Sequence, residues 1–200
     1  MVESLLLPAH VYEKMLAHAR AHWPAEACGL LRGHDAQVRE LLPARNIAAD
    51  PRHNFQVDAK SLLQALSWED EGDAMLAIYH SHPRTAAFPS AVDAASAFYP
   101  DSVYLILSLQ DWAAPQLRGF FLRPEVLFDE KQAQVLQSGF EQVRPGLWSR
   151  FLAADAPLSP TLADAGPGVT HFYLIYQTSP RPPQPLRLVS VQSVPVTITL

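Results

Sequence analysis

The chain lacks the sequence features that mark disulfide-bonded, membrane-spanning and secreted proteins. Cys28 is the only cysteine among 200 residues, so no disulfide can form within the chain, which suits a reducing compartment. No run approaches the roughly 20 apolar residues that span a bilayer. The short apolar start also lacks the basic residues of a signal peptide. We therefore expect a cytoplasmic protein that does not enter a membrane.

Basic residues are also few, and they do not cluster. The formal net charge is -5, and lysine occurs only at Lys14, Lys60 and Lys131. Proteins that bind nucleic acid usually carry a basic patch on one face, and none is visible along this sequence. We therefore predict no nucleic-acid partner.

Proline divides the chain into two parts. Nine of the 18 prolines lie at or beyond Pro145, whereas hydrophobic residues make up 48% of the whole, enough for a domain with a core. We predict a compact domain over 1–128 and a proline-rich C-terminal extension over 129–200. In the extension, apolar periodicity predicts a helix over 129–143 and strands over 171–176, 186–191 and 194–200. We expect the extension to pack rather than hang free, with a partly disordered tail as the alternative.

The first part mixes helices and strands without strict β-α-β alternation, which predicts an α/β (α+β) fold with a mixed sheet and helices packed on it. Helices are predicted over 9–22, after Asp58, and from Ser90 to before Pro100. Strands are predicted over 27–32, 37–43, 52–57, 74–80, 103–109 and 117–122.

A histidine pair follows the apolar strand 74–80. His80 and His82 are two residues apart, so they leave one face of the strand side by side, and Pro83 then turns the chain away. Asp93 lies in the first turn of the next helix and can point back at both imidazoles. Two neutral imidazoles and one carboxylate leave a tetrahedral zinc one position for water, which is the catalytic arrangement.

Each part of this motif also has a purely structural interpretation. His-x-His pairs are common, and Ser90-x-x-Asp93 is a capping box that explains both residues without a metal. The two interpretations are compatible, because a cap also fixes the direction of the carboxylate. The joint spacing of His80, His82, Ser90 and Asp93 after a buried apolar run favours a metal site.

Together with Glu26-Ala-Cys28-Gly-Leu30, the pattern His-Ser-His-Pro … Pro-Ser-x-x-Asp resembles the JAMM (MPN-plus) zinc metalloproteases of prokaryotic type. The resemblance covers residues from about 5 to 125, including the weaker stretch 52–58. It implies a cytidine-deaminase-like fold, a mixed sheet wrapped by a few helices. It also implies one zinc ion per chain on His80, His82 and Asp93, with Glu26 as general base and acid and Ser90 stabilising the oxyanion.

The resemblance further implies hydrolysis of a peptide or isopeptide bond after the C-terminal Gly-Gly of a ubiquitin-like or sulfur-carrier protein. Family members that cut ubiquitin chains carry insertions that grip the second ubiquitin. The span from Asp93 to Val103 is short, so such an insertion is absent here. The expected partner is therefore the C-terminal tail of a small carrier protein, and a homodimer is left open.

Three alternatives remain to be compared. The family includes inactive scaffold or binding modules, but these have lost the ligands that this chain keeps. Zinc-dependent deamination uses Pro-Cys-x-x-Cys, which a chain with one cysteine cannot supply. A nucleophilic Cys28 is the third, although a cysteine in an apolar strand usually packs as a small hydrophobe.

Overall fold

A computed structural model describes residues 3–127, 139–154, 168–178 and 184–200. These residues form two compact units, each assembled from separate stretches of the chain. The first contains residues up to 88, 101–120 and 194–200, and the second contains 89–100 and 121–193. The boundary predicted between residues 128 and 129 stays a prediction.

The first unit is a mixed sheet with helices, as the sequence predicted. Its strands lie in the order β11-β1-β3-β2-β4-β5-β6. Strand β1 runs parallel to β3 and β11, and β4 runs parallel to β5, whereas β2–β3, β2–β4 and β5–β6 are antiparallel. The bounds are β1 Leu5–Pro8, α1 Ala9–His22, β2 Cys28–His34, β3 Gln37–Ala44, α2 Ala59–Leu66, a 3-10 turn Glu69–Glu71, β4 Ala74–His82, β5 Val103–Ser108, β6 Gln116–Leu127 and β11 Val196–Thr199.

The histidine strand lies at the centre of this sheet. Every residue of β5 is buried, and β5 flanks β4 in parallel register with His80 opposite Ile106 and His82 opposite Ser108. Because apolar strands with both faces covered bury well, the run before His80 forms the interior of the sheet. Helix α1 buries Val11, Met15 and Ala19 on one face. The histidines therefore leave a rigid core strand rather than a loop.

One local prediction in this unit is wrong. Residues 52–57 form no strand, and Val57 makes only an isolated bridge to Asn46. Helix α2 begins at Ala59, after Asp58 as predicted, and the Asp58 carboxylate accepts the Ser61 N–H at 3.1 Å. Leu63 and Leu66 of this helix are 67% and 66% exposed.

The second unit contains a short helix and an antiparallel sheet. Helix α3 covers Ala91–Ala95 and is shorter than predicted. The strands lie in the order β6-β10-β9-β8-β7. Their core is apolar and consists of Leu152, Phe172, Leu174, Leu186 and Leu188. The bounds of the strands not yet given are β7 Glu141–Arg144, β8 Leu147–Ala153, β9 Val169–Gln177 and β10 Gln184–Val194.

The extension is richer in strands than its sequence suggested. The strands predicted over 171–176, 186–191 and 194–200 are confirmed as β9, β10 and β11. Strands β7 and β8 were missed, and the helix predicted over 129–143 is wrong at its end, where β7 lies; its residues 129–138 lie outside the described residues. Among the described helices, none is long and apolar enough to cross a membrane.

A half-buried histidine on α1 makes the stability of the fold depend on pH. His18 Nδ1 lies 3.2 Å from the Tyr79 hydroxyl, which itself donates to the Met15 carbonyl, so the neutral ring must be the donor. Burial, and then the charge of His22, lowers the pKa of His18 from 6.5 to about 4. Between these values the unfolded chain binds a proton that the folded chain does not, so stability falls as pH falls.

We therefore expect the unfolding free energy of the wild type to fall more steeply from pH 6.5 to pH 4 than that of His18→Gln. Urea unfolding of the zinc-free proteins at several pH values measures both slopes. His10→Gln, at an exposed position of the same helix, should keep the wild-type slope. Equal slopes for all three proteins would contradict the assignment to His18.

Candidate metal centre

The two predicted histidine ligands are buried and face each other. Their Nε2 atoms are 3.1 Å apart at the end of β4. His82 Nδ1 lies 2.8 Å from the Ala86 carbonyl oxygen, so this nitrogen carries the proton and donates it. The Nε2 atom of His82 is then the basic nitrogen. Histidines that bind metals usually donate their other ring N–H in this way.

A loop that the sequence placed in a strand orients the other imidazole. The ring of Phe55 stacks on His80 with centroids 4.3 Å apart and an interplanar angle of 16°. The Asn46 amide holds this loop, since its Nδ2 donates to the Glu26 and Asn54 carbonyls at 2.9 Å. Neither Phe55 nor Asn46 was identified as a site residue. The signal for Phe55 was the stretch 52–58, which resembles the bacterial members of the family.

The capping box at Ser90 and Asp93 is present in full. The Ser90 N–H donates to Asp93 Oδ2 at 2.7 Å, and the Asp93 N–H donates to Ser90 Oγ at 3.1 Å. The Ser90 oxygen acts here as an acceptor, which leaves its hydroxyl proton to donate. The structural interpretation of this pair is therefore confirmed, and the cap fixes the direction of a carboxylate that is only 6% exposed.

The donor set fits zinc. One coordinating atom from each of His80, His82 and Asp93 can be chosen so that all three lie within 4.8 Å of one another. Bound atoms around a tetrahedral ion, each about 2.0–2.2 Å from it, are separated by distances of this order or less. Two imidazole nitrogens and one carboxylate oxygen are also the ligand types of catalytic zinc. The cap interpretation of Asp93 is therefore compatible with a role as a metal ligand.

Glu26 lies two residues before β2 and is buried, at 7% exposure. Cys28 is paired with His80 across β2 and β4. Ser81 extends this pairing, because its N–H donates to the Ala27 carbonyl and its Oγ accepts the Ala27 N–H, both at 2.9 Å. The Glu26 N–H donates to the Pro51 carbonyl at 2.7 Å, and the Glu26 carbonyl accepts from Asn46 Nδ2 at 2.9 Å. The backbone around Glu26 is therefore held by hydrogen bonds close to the end of the histidine strand.

Cys28 is a packing residue, as the sequence analysis favoured. Its side chain is fully buried. Burial, with smaller contributions from the charges of Asp58 and Glu26, raises the pKa of the thiol to about 12. Because the thiolate is the nucleophile, such a thiol is inert near neutral pH.

An open groove of about 490 Å³ begins one residue beyond His82. The Leu109 N–H donates to the His82 carbonyl at 2.9 Å, which ties the groove to the histidine strand. The indoles of Trp23 and Trp112 meet edge to face at 6.5 Å, and both are about half exposed. We call this surface the tryptophan groove; its lining residues are Trp23, Pro83, Arg84, Leu109, Gln110 and Trp112.

Comparison with known proteins places the chain in a family. The model of the prokaryotic homologs of the JAB domain matches residues 8–121. The desampylase of Haloferax volcanii is 36% identical over 130 residues, which cover 57% of this chain and 91% of the relative. The CysO-cysteine peptidase of Mycobacterium tuberculosis is 34% identical over 119 residues, which cover 58% and 81%.

A solved structure agrees with these relatives. The solution structure of a protein from Desulfitobacterium hafniense is similar with 39% identity and a TM-score of 0.53, over 58% of this chain and 83% of that one. The matched family span contains Glu26, His80, His82, Ser90 and Asp93 and ends before the extension. The chain belongs to the prokaryotic homologs of the JAB domain, the JAMM/MPN family that its motif resembled.

Proposed function

We propose that this chain is a zinc-dependent peptidase that hydrolyses the bond after the C-terminal Gly-Gly of a ubiquitin-like or sulfur-carrier protein. The cluster of His80, His82 and Asp93 carries the proposal, because it offers zinc three ligands. The chain is a hydrolase of the JAMM/MPN type, as its named relatives are. The names of its relatives, a desampylase and a CysO-cysteine peptidase, support the class of substrate.

Each residue of the proposed site has its own role in the reaction. When bound, zinc lowers the pKa of a water molecule and polarises the carbonyl to be attacked. Glu26 accepts the proton of the attacking water and later delivers it to the leaving amine. Ser90 donates its hydroxyl proton to the developing oxyanion, a contact worth about 3 kcal/mol in comparable sites.

Hydrogen bonds to the backbone hold the side chains of His82 and Asp93 in position before substrate binds. The Ala86 carbonyl selects the His82 tautomer that presents Nε2. The Ser90 N–H holds one oxygen of Asp93. Such outer contacts fix the orientation of a ligand, which raises its affinity for the metal. The complete set of ligands and base supports an enzyme over the scaffold alternative, because a binding module has no use for a prepared base.

The tryptophan groove is a candidate surface for the body of the substrate protein. Arg84 lies over the Trp23 ring at 5.8 Å, and Arg20 lies over Trp112 at 5.3 Å. Exposed indoles with flanking cations suit a partner surface that combines apolar and acidic side chains. A cytoplasmic location, a homodimer and the lack of a nucleic-acid partner stay predictions.

We expect cleavage to require glycines in the tail of the substrate. A Gly-Gly tail offers almost no side chain, so it must bind extended through its main chain in a narrow site. Leu-Leu in place of Gly-Gly should lower kcat/KM by about 100-fold, since small misplacements of the reacting bond have effects of this size. Mass spectrometry of carrier-protein adducts incubated with the zinc-loaded enzyme measures the products.

A leucine pair placed well upstream of the tail serves as the matched control and should be cut like the unmodified substrate. Equal cleavage of Leu-Leu and Gly-Gly tails contradicts a narrow site. Failure to cut any carrier adduct, with zinc bound at full occupancy, contradicts the proposed function itself.

A further inference from the structure

The helix that carries Asp93 is too short to hold its own position. Helix α3 contains five residues, from Ala91 to Ala95. Isolated helices shorter than about 12 residues are marginal in water, because the first turn fixes several residues for a single hydrogen bond. The capping box organises its first turn but does not fix where the helix lies. Contacts with other elements must do so.

Two side chains of the C-terminal extension bind the two ends of this helix. The Tyr173 hydroxyl donates to the Pro89 carbonyl, immediately before the cap residue Ser90, at 2.7 Å. Arg187 Nη2 donates to the carbonyl of Ala95, the last helical residue, at 2.9 Å. One contact therefore lies just before the helix, and the other lies at its last residue.

Both side chains leave the same face of one antiparallel strand pair. Arg187 on β10 is directly opposite Ile175 on β9, and Tyr173 is two residues from Ile175. Opposite residues and residues two apart share a face, so Tyr173 and Arg187 point to the same side. Gln177 is two residues further along β9, and its Oε1 accepts from Arg187 Nη2 at 2.9 Å. Strand β9 also contacts α3 directly.

The environment of these two groups indicates that they have a positioning role. Arg187 takes part in none of the ion pairs found among the described residues, and its Nε is buried without a hydrogen-bond partner there. Burial lowers the pKa of its guanidinium. Burial, and then the charge of Asp93, raises the pKa of Tyr173, which is consistent with a hydroxyl close to that carboxylate. A cation whose hydrogen bonds go only to neutral acceptors contributes little to the stability of the fold. We therefore assign Arg187 a role in its contact with α3.

We propose that the β9–β10 pair is a clamp that positions the ligand helix, with Tyr173 and Arg187 as its positioning residues. The inference rests on the proposed function, since it assigns Asp93 to the metal and Ser90 to the oxyanion. Both clamp residues lie beyond residue 121, where the family match ends. The clamp residues therefore lie in the part of the chain that the family match does not cover.

The test compares Tyr173→Phe, Arg187→Met and the double variant with two matched controls. Tyr176→Phe changes a tyrosine on the opposite face of β9, and Arg150→Met changes a half-buried arginine on β8. Zinc affinity is measured by competition with a chromophoric chelator. Outer contacts of metal ligands typically change affinity or activity by 10- to 100-fold. We expect about 10-fold weaker zinc binding for each single variant, a larger loss for the double variant, and wild-type affinity for both controls.

A role limited to overall stability would not move two further readouts. The visible spectrum of the cobalt-substituted protein should change in the clamp variants, because it reports the geometry of the ligands. The loss of activity should fall on kcat rather than KM. Arg187→Lys keeps a cationic donor for the Ala95 carbonyl and should restore part of the affinity. Clamp variants that match the controls in zinc affinity and cobalt spectrum overturn the inference while leaving the proposed function intact.

Hydrogen exchange separates the two proposals if zinc does not bind. Deuterium uptake in a peptide covering 89–97 of the metal-free protein should be faster in the double variant than in the wild type. Unchanged uptake overturns the clamp. A wild-type protein that takes up no zinc, but whose 89–97 peptide is protected by Tyr173 and Arg187, contradicts the metal assignment and keeps the clamp as a structural device.

Discussion

Glu26→Gln should lower kcat by roughly 10²- to 10⁴-fold, the usual contribution of a general acid–base group. The amide keeps the shape of the side chain, but it cannot accept a proton from water. The zinc content should stay at one ion per chain. Steady-state kinetics on a carrier-protein adduct and metal analysis of the same preparation measure both quantities.

The matched control is Glu40→Gln, an exposed carboxylate on β3 that has no place in the proposed chemistry. It should keep wild-type kcat and zinc content. Loss of zinc from Glu26→Gln would instead make Glu26 a metal ligand. An unchanged kcat would remove Glu26 from the mechanism.

The second large effect is expected at Asp93, where two substitutions can distinguish the role in the helix cap from the role as a metal ligand. Asp93→Asn keeps an oxygen that can accept the Ser90 N–H but loses the negative charge that zinc prefers. Asp93→Ala loses both. We expect both variants to lose most of their zinc and all measurable activity. Only Asp93→Ala should also destabilise the zinc-free protein, by about 1 kcal/mol, the usual contribution of a helix cap.

Metal analysis gives the occupancy, and urea unfolding of the zinc-free proteins gives the stability. A His80→Ala, His82→Ala double variant should contain no zinc and supplies the baseline. Full occupancy in that double variant would falsify the ligand assignment. If Asp93→Asn keeps zinc and activity, the residue acts only as a cap.

The elements that hold the metal ligands could be predicted because each is encoded locally. The apolar run before His80, Pro83 at the end of the strand and the Ser90-x-x-Asp93 cap are each recognised within a few residues of the chain, and all three are present. The two-residue spacing of His80 and His82 also predicted that both side chains leave the same face of the strand. The mixed sheet followed from irregular alternation of helices and strands, and the family match supports it.

The parts that the sequence did not predict depend on contacts between distant residues. Phe55 stacks on His80 because the side chain of Asn46 organises a loop, which gives no periodic signal. Tyr173 and Pro89 are 84 residues apart, and no local sequence pattern near either residue predicts their contact. Leu63 and Leu66 of α2 are exposed although they are apolar, because burial is decided by what packs against the helix.

The pairing of β1 with β11 sets an order of events during synthesis. Strand β1 has a parallel partner along Leu5 to Pro8 in β11 but is paired with β3 only at Leu6. At about 5–20 residues per second, a ribosome needs roughly 10–40 seconds to travel from the first strand to the last. Until β11 is made, β1 lacks its partner along this edge, and open strand edges promote aggregation. Nascent chains stalled before Val196 should therefore depend on chaperones more than chains that already include β11.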